Sequence, residues 1–361
     1  MNIGILTFHR AYNYGARLQC YALTKYLQSL GHSVKVIDYY PDYFKDEYAL
    51  IPIKKINKAG FLSKISILIE SLLFLPLKII RRRRFDRFLY RLPLSERLPS
   101  SAKQYGNYDI VFVGSDQVWN KQITGDCVDP FYTGVVKRKG IKLVAYAAST
   151  KVDSAAIDTL FYKQILKNFE RVSVREDIFC DICNKLISGC ALTVVDPVLL
   201  LKKKEWEKIS VKPRETNYLL VYTVPSDASV MKFAKLVAES RRLKIIELVP
   251  NIKYLFRRNA RQIASPEEFI GYFLNASYIV TTSFHGTAFS IIFEKQFSTI
   301  LLGSSVDDRS LSLLNKLGLG TRTVTSSSIT LPKTEIDYGK INSRLDAIEQ
   351  ISYQYIKESI T

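Results

Sequence analysis

The chain has 361 residues and three histidines, and one of these, His285, stands where an imidazole can do chemistry. It lies in Ser283-Phe284-His285-Gly286, after the apolar run Tyr278-Ile279-Val280-Thr281-Thr282 and before Thr287-Ala288-Phe289. The first run reads as a short buried strand, and 287–293 reads as the helix that follows it. The carboxyl end of a strand is where open α/β sheets bind ligands. Gly286 admits close approach of a ligand to the backbone. The first N–H groups of the helix, from Ser283 to Thr287, make an anion site. Imidazole is a side chain suited to exchanging protons with a bound group near neutral pH. The same pattern also suits a histidine that only caps the helix or packs beneath it.

Other strands end on similar residues. Residues 3–8 read as a strand, and the loop 9–15 leads to a helix that starts near Ala16, with Leu18, Ala22, Leu23, Tyr26, Leu27 and Leu30 on one face. This puts Asn13, Tyr14, Gly15, Arg17 and Gln19 in position to line a site, with His9 beside them. His32, next to the helix-ending Gly31, reads as a surface residue. The loop carries Asn-Tyr-Gly and lacks GxGxxG, so the dinucleotide fingerprint is absent. Farther on, 108–113 reads as a strand that runs into Gly114-Ser115-Asp116-Gln117-Val118-Trp119. Strand 171–174 leads to Arg175-Glu176, and strand 193–195 to Asp196-Pro197.

The elements that must position these residues follow from the alternation. Strands separated by helical stretches, 155–168 among them, imply parallel sheets covered by helices on both faces. Polarity rises around 202–216, and a second series begins there: strand 218–223, helix 228–241, strand 244–249, helix 266–274, the His285 unit, strand 298–302 and helix 310–317. The expected fold is α/β, with two Rossmann-like domains facing a central cleft. The domains are 1–210 and 211–335, closed by an amphipathic C-terminal helix within 336–361. Ligands favour such clefts.

Residues 54–97 differ from their surroundings. They hold twelve Lys/Arg against three Asp/Glu, half of the chain's net charge of +18. A broken apolar stretch, 61–80, precedes Arg81-Arg82-Arg83-Arg84 and the aromatic residues Phe85, Phe88 and Tyr90. Lys64, Glu70, Pro76 and Lys78 interrupt it, so it cannot cross a bilayer. Two readings stand side by side: a basic amphipathic insertion for an anionic membrane surface, or a helical insertion packed on its domain with a solvated arginine run. No nucleic-acid module accompanies the charge. The opening Met1-Asn2-Ile3-Gly4-Ile5-Leu6 reads as a strand and not as a signal peptide, so a cytoplasmic protein is expected, peripheral on the inner face of the membrane if residues 61–91 bind lipid. Five cysteines, with Cys180 and Cys183 in a CxxC on a helical segment, read as buried thiols, and no metal constellation is visible.

Taken together, several stretches resemble the polysaccharide pyruvyl transferase family. They are GILTFHRAYNYGARLQCYAL at the start, VGSDQVWN, SVRE at 173–176, VVDPVLLL at 194–201, TTSFHGTAFSIIF at 281–293 and DDRSLSLLNKLGL at 307–319. They occur in the family's order and spacing from residue 3 to about 320. The resemblance implies a GT-B-like fold with an acceptor-binding N-terminal and a donor-binding C-terminal domain. It also implies transfer of a pyruvyl group from phosphoenolpyruvate, as co-substrate and with no cofactor, to two hydroxyls of a sugar. The product is a ketal on a capsular, exo- or cell-wall polysaccharide precursor, often lipid-linked.

On that reading His285 is the motif histidine that moves protons. Arg175 and Arg309 are the preferred cations for the donor's phosphate and carboxylate. Asp116 acts as base or orients sugar hydroxyls, with Ser115 beside it, unless it only caps the following turn. Trp119 stacks on the pyranose unless it belongs to the core, and each arginine has an ordinary ion pair as its plain alternative. Two departures bear on donor binding. Some members carry an acid where this chain has Thr282, and a distant branch carries an arginine where it has Ser283; either difference can shift phosphate binding elsewhere. The competing readings are a GT-B glycosyltransferase using a nucleotide sugar, for which no acidic ribose ligand is visible, and a non-catalytic membrane-associated partner of polysaccharide assembly.

Overall fold

Short runs such as Ile-Val-Phe-Val and Tyr-Leu-Leu-Val-Tyr are apolar on both faces, which suits strands covered by helices on both sides. They build two parallel sheets. The computed structural model describes residues 1–361 apart from 125–128, 137–139, 152–157, 226, 304–306 and 326–329. The first sheet contains β1 (Asn2–Leu6), β2 (Ser33–Tyr39), β3 (Leu94–Leu98), β4 (Ile110–Val113), β5 (Lys142–Ala148), β6 (Arg171–Val174) and β7 (Ala191–Thr193). The second contains β8 (Tyr218–Tyr222), β9 (Lys244–Leu248), β10 (Ala260–Arg261), β11 (Tyr278–Thr281), β12 (Phe297–Leu301) and β13 (Thr323–Thr325).

The spatial orders are β3-β2-β1-β4-β5-β6-β7 and β10-β9-β8-β11-β12-β13. All pairings are parallel, in registers such as Ile3 opposite Ile110 and Ile279 opposite Leu220. Each sheet therefore reverses its winding once, between β1 and β4 in the first and between β8 and β11 in the second. A crevice opens beyond the carboxyl ends of the strands at such a reversal. The two expected Rossmann-like sheets are present.

Three strands escape the sequence pattern. β10 and β13 are only two and three residues long, and β3 is an edge strand, Leu-Ser-Glu-Arg-Leu, whose charged positions face water. The helix expected over 155–168 is observed as Thr159–Leu166, and its first expected residues, 155–157, lie outside the described residues. The basic insertion forms three helices, Ile53–Lys58, Phe61–Leu73 and Leu75–Leu89. Pro76 sits in the first turn of the last one, where a proline fits, so the break falls before the proline and not at the arginine run.

One apolar cluster runs through both halves, from β1 and β4 through Trp206 to Phe269, Phe289 and β11. Tyr14, at the start of the helix Tyr14–Ser29, stacks on Phe269 with ring centres 4.6 Å apart. Trp206 packs between Tyr21 and Phe289. Burying side chains of this size contributes roughly 1.5–3 kcal/mol each, so the two sheets are joined by a substantial apolar contact. The C-terminal helix, Tyr338–Ile360, crosses back to the first sheet: the Tyr355 hydroxyl donates to the Ala145 carbonyl (2.9 Å), and the Val195 N–H donates to Ser352 Oγ (2.9 Å).

Candidate functional site

The winding reversals bring the ends of β1, β4, β8 and β11 to face one another. Asn13 comes from the loop after β1, where its side chain caps the helix Tyr14–Ser29 by accepting the Ala16 N–H (3.2 Å). Asp116 and Gln117 follow β4, and Tyr222 and Val224 lie at the end of β8. Ser283, Phe284 and His285 follow β11, with Ser283 the N-cap residue of the helix Phe284–Ile292. Arg309 lies in the first turn of the helix Asp308–Leu317. Together with Ile123 these residues enclose a cleft of about 200 Å³ between the sheets. A second cavity of about 60 Å³ lies on the other side of Phe284 and Arg309, lined by Arg175, Asp196, Ser312 and Lys316 among others.

His285 is mostly buried and is held from the opposite domain. Its Nε2 stands 3.6 Å from Asp196 Oδ2 and has no hydrogen-bond partner among the described residues. A Cβ at Gly15 would fall 2.1 Å from His285 Nδ1. The missing side chain therefore lets the imidazole pack directly on the Gly15 backbone. Asp196 is buried at the end of the segment after β7, accepts the Val198 N–H (3.0 Å), and pairs with Arg175 at 2.5 Å. Burial alone would raise the Asp196 carboxyl. The His285 imidazole, the Arg175 guanidinium and the Val198 N–H together hold it down at about 2. Ser115 Oγ also reaches Asp196, at 3.4 Å.

The two arginines differ. Arg175 is buried, lies over the Phe284 ring with its guanidinium carbon 5.0 Å from the ring centre, and spends one nitrogen on Asp196. Its Nε and second terminal nitrogen make no hydrogen bond among the described residues, although Glu176 lies 3.6 Å from Nε. Arg309 is partly exposed at the cleft and forms no ion pair among the described residues. Burial, and then the neighbouring Arg175 charge, push its guanidinium below the usual range. Glu176, Asp116 and Asp196 pull the other way, so the anion site is carried by the guanidinium that faces the cleft without an ion pair among the described residues.

Other residues singled out from the sequence are not brought to the cleft. Trp119 is 1% exposed, donates its indole N–H to the Tyr132 carbonyl (2.9 Å) and packs on Phe169 and Phe179, so it cannot stack on a sugar. Tyr14 turns to the domain contact, where its hydroxyl donates to the Ala264 carbonyl. Gln19 donates to Thr7 Oγ1 (2.7 Å) beneath β1. Thr287 is engaged with Thr299 (2.8 Å) and the Ser283 carbonyl. Gly286 serves packing and not ligand approach: a Cβ there would meet Thr281 Oγ1 at 2.1 Å, so the glycine seats its helix on β11. Arg17 is buried and donates to the carbonyls of Ala11 and Arg10, and burial lowers it to about 10. His9 is buried against Asp38 (3.1 Å) and is lowered by that burial.

Sequence reasoning missed Asp196 as a site residue, along with Gln117, Ile123, Tyr222 and Val224. For Asp196 the signal was present, a polar residue closing an apolar run before a proline. Cys180 and Cys183 are buried on the helix Asp177–Leu186. Among the described residues no group of three or more His, Cys, Asp or Glu is arranged to hold a metal ion.

A family model described as polysaccharide pyruvyl transferase matches residues 13–302. No curated protein matches the sequence significantly. Among solved structures, the chain is similar to a UDP-N-acetylglucosamine 2-epimerase from Rickettsia bellii, at 9% identity over 99% of this chain and 95% of the other, with a TM-score of 0.46. It is also similar to a UDP-GlcNAc 2-epimerase from Neisseria meningitidis bound to UDP-GlcNAc (8% identity, 99% and 94% covered, TM-score 0.46). A third is the spinosyn rhamnosyltransferase SpnG (11%, 99% and 95%, TM-score 0.39).

Proposed function

The chain belongs to the polysaccharide pyruvyl transferase family, and on that premise we propose that it transfers the pyruvyl group of phosphoenolpyruvate to two hydroxyls of one sugar in a polysaccharide precursor. The products are a pyruvate ketal and inorganic phosphate. The observation that carries the reading is the meeting, at one cleft, of an imidazole held between Asp196 and Gly15 with Arg309, a cation that forms no ion pair among the described residues.

The donor is a dense anion. Arg309 and the amino-terminal end of the helix Phe284–Ile292 receive its phosphate or carboxylate. Arg175 acts mainly through Asp196, which it holds charged and in place. A proton added to the enol methylene makes the central carbon electrophilic, and a sugar hydroxyl adds there. Cleavage of the C–O bond to phosphate then lets the second hydroxyl close the ketal. Of the two hydroxyl protons, one ends in the ketal methyl group and the other leaves with phosphate. His285, with Nε2 turned to Asp196 and its ring lining the cleft, carries these protons in this scheme. Asp116, partly exposed across the cleft, orients or deprotonates the sugar. The scheme requires no resident cofactor.

The test is phosphate release from phosphoenolpyruvate with a panel of lipid-linked or synthetic glycosides. Acceptor-dependent release should fall about 10²–10⁴-fold in His285→Ala, the range for loss of a general acid–base. Release that survives the substitution refutes the role of His285. Absence of release with every acceptor, together with binding of a nucleotide sugar, refutes the reaction.

A further inference from the structure

The helix Phe61–Leu73 is built the wrong way round for a soluble protein. The residue that it buries is Ser71. At 3.6 residues per turn Phe61, Leu62, Ile65, Leu68, Ile69 and Leu72 fall within one arc of about 120°, and all six are exposed, Phe61 by 77% and Leu62 by 80%. Exposed apolar arcs of this kind mark interaction surfaces. Among the described residues no helix is long and apolar enough to cross a membrane.

The flanking charge is selective. In the helix Leu75–Leu89 that follows, Arg81 is buried, and Arg84 pairs with Glu268 of the second domain (2.5 Å), as Arg91 just beyond it does with Glu267 (2.9 Å). These are structural arginines that clamp the insertion to the helix Pro266–Asn275. Arg83 and Arg87 are exposed and form no ion pair among the described residues. Part of the arginine run is therefore packed on the fold, and part is left for a partner.

A second, separately encoded tip lies beside the insertion. Phe256 is 97% exposed, with exposed Lys253 and Arg258 nearby. Arg81 ties this loop to the insertion. Its guanidinium donates to the Gln262 carbonyl (2.9 Å), and the Gln262 side chain accepts the N–H groups of Lys253 (2.9 Å) and Tyr254 (3.0 Å). A cavity of about 350 Å³ lies between the two, lined by Tyr12, Lys78, Arg81 and Asn251 among others. Tyr12 adjoins Asn13, which lines the catalytic cleft.

We propose that the helix Phe61–Leu73 and the Phe256 loop together dock the protein onto an anionic lipid bilayer, with the apolar arc in the acyl boundary and Arg83, Arg87 and Arg258 against the headgroups. Apolar side chains rimmed by basic ones fit that interface on both counts. A second copy of the chain fits less well, because a twofold contact would bring the same unpaired arginines of both copies together. Docking needs no turnover, so its test stands apart from the transferase reading.

The experiment is cosedimentation of the full-length protein with vesicles of phosphatidylcholine and phosphatidylglycerol in equal parts, and with phosphatidylcholine alone. The wild type should bind the anionic vesicles, less at high salt, and leave the neutral ones. Leu62→Glu/Ile69→Glu, at exposed positions and with an unchanged circular dichroism spectrum, should abolish binding. Arg83→Gln and Arg87→Gln should each weaken it about fivefold, and Phe256→Ser should weaken it further. A wild type that ignores anionic vesicles, or a Leu62→Glu/Ile69→Glu variant that binds as well as wild type, overturns the proposal. A lipid-free dimer that dissociates in that variant, without vesicle binding, overturns it in favour of a second copy.

Discussion

The placement of His285 against the opposite domain makes Gly15→Ala a demanding test. The added methyl would sit 2.1 Å from Nδ1 and 2.3 Å from Cε1. Carbon and nitrogen are comfortable near 3.5 Å, so the ring must retreat by more than about 1 Å. Both directions of retreat are costly to function, because Asp196 stands on one side and the cleft on the other. Misplacing a catalytic group by about 1 Å costs on the order of 10²-fold in rate. Stability should change little, since alanine favours a helix over glycine by about 0.5–1 kcal/mol and offsets part of the clash. The assay is phosphate release from phosphoenolpyruvate with an active acceptor, run in wild type, Gly15→Ala, His285→Ala and the double variant. The expected result is a loss of about 10²-fold in Gly15→Ala and no further loss when it is added to His285→Ala, where the ring is already gone. With only three histidines, the His285 ring resonances can be assigned by their disappearance in His285→Ala, and they should shift in Gly15→Ala. Wild-type turnover in Gly15→Ala, or an equal loss in both backgrounds, refutes the reasoning.

Arg309→Gln should weaken phosphoenolpyruvate binding roughly ten- to a hundredfold, the range for a hydrogen bond to a charged group, with little change in unfolding midpoint because Arg309 has no ion-pair partner to strand among the described residues. Calorimetry with phosphoenolpyruvate checks it, and unchanged affinity would move the donor site elsewhere. Asp196→Asn should alter the acid limb of stability. The native carboxyl sits near 2, below its unfolded value of about 3.9, so its contribution is complete only above about pH 5 and is lost as pH falls through about 2. Urea unfolding across that range should show an acid-side decline of on the order of 2 kcal/mol in wild type that is absent in Asp196→Asn, which starts lower at neutral pH because Arg175 loses its buried partner. Equal pH slopes in the two proteins would count against the depressed carboxyl.

What the sequence disclosed depends on whether one segment or two were needed. Strand–turn–helix units were legible because apolar runs with polar ends carry their own period, and both winding reversals fall at turns that the polar residues marked. Edge strands such as β3 were not, since their charged positions resemble a loop until a neighbour pairs with them. The two glycines of the site show the same limit. Both invited a reading as ligand cradles, yet one accommodates Thr281 of its own strand and the other accommodates a histidine some 270 residues away. Trp119 and Asp116 lie three residues apart after β4. One enters the core through a hydrogen bond to Tyr132, and the other lines the cleft, a division set by the turn between them and not by residue type.

The cleft sets two arginines among acidic side chains, and their arrangement bears on how a donor anion would be received. Arg175 and Arg309 are brought together with Asp196, with Asp116 across the cleft, and with Glu176, whose carboxyl burial pushes upward against the pull of both arginines. In the proposed reaction phosphoenolpyruvate adds its own negative charge while bound, and protonation of the enol carbon takes a proton from the imidazole as that charge moves onto the departing phosphate. Asp196, held as an anion by His285 and Arg175, keeps the imidazole in place. The arginine that forms no ion pair among the described residues and the aspartate that faces both Arg175 and His285 are therefore complementary in the proposed reaction: one receives the donor's charge, and the other holds the proton carrier steady as that charge leaves.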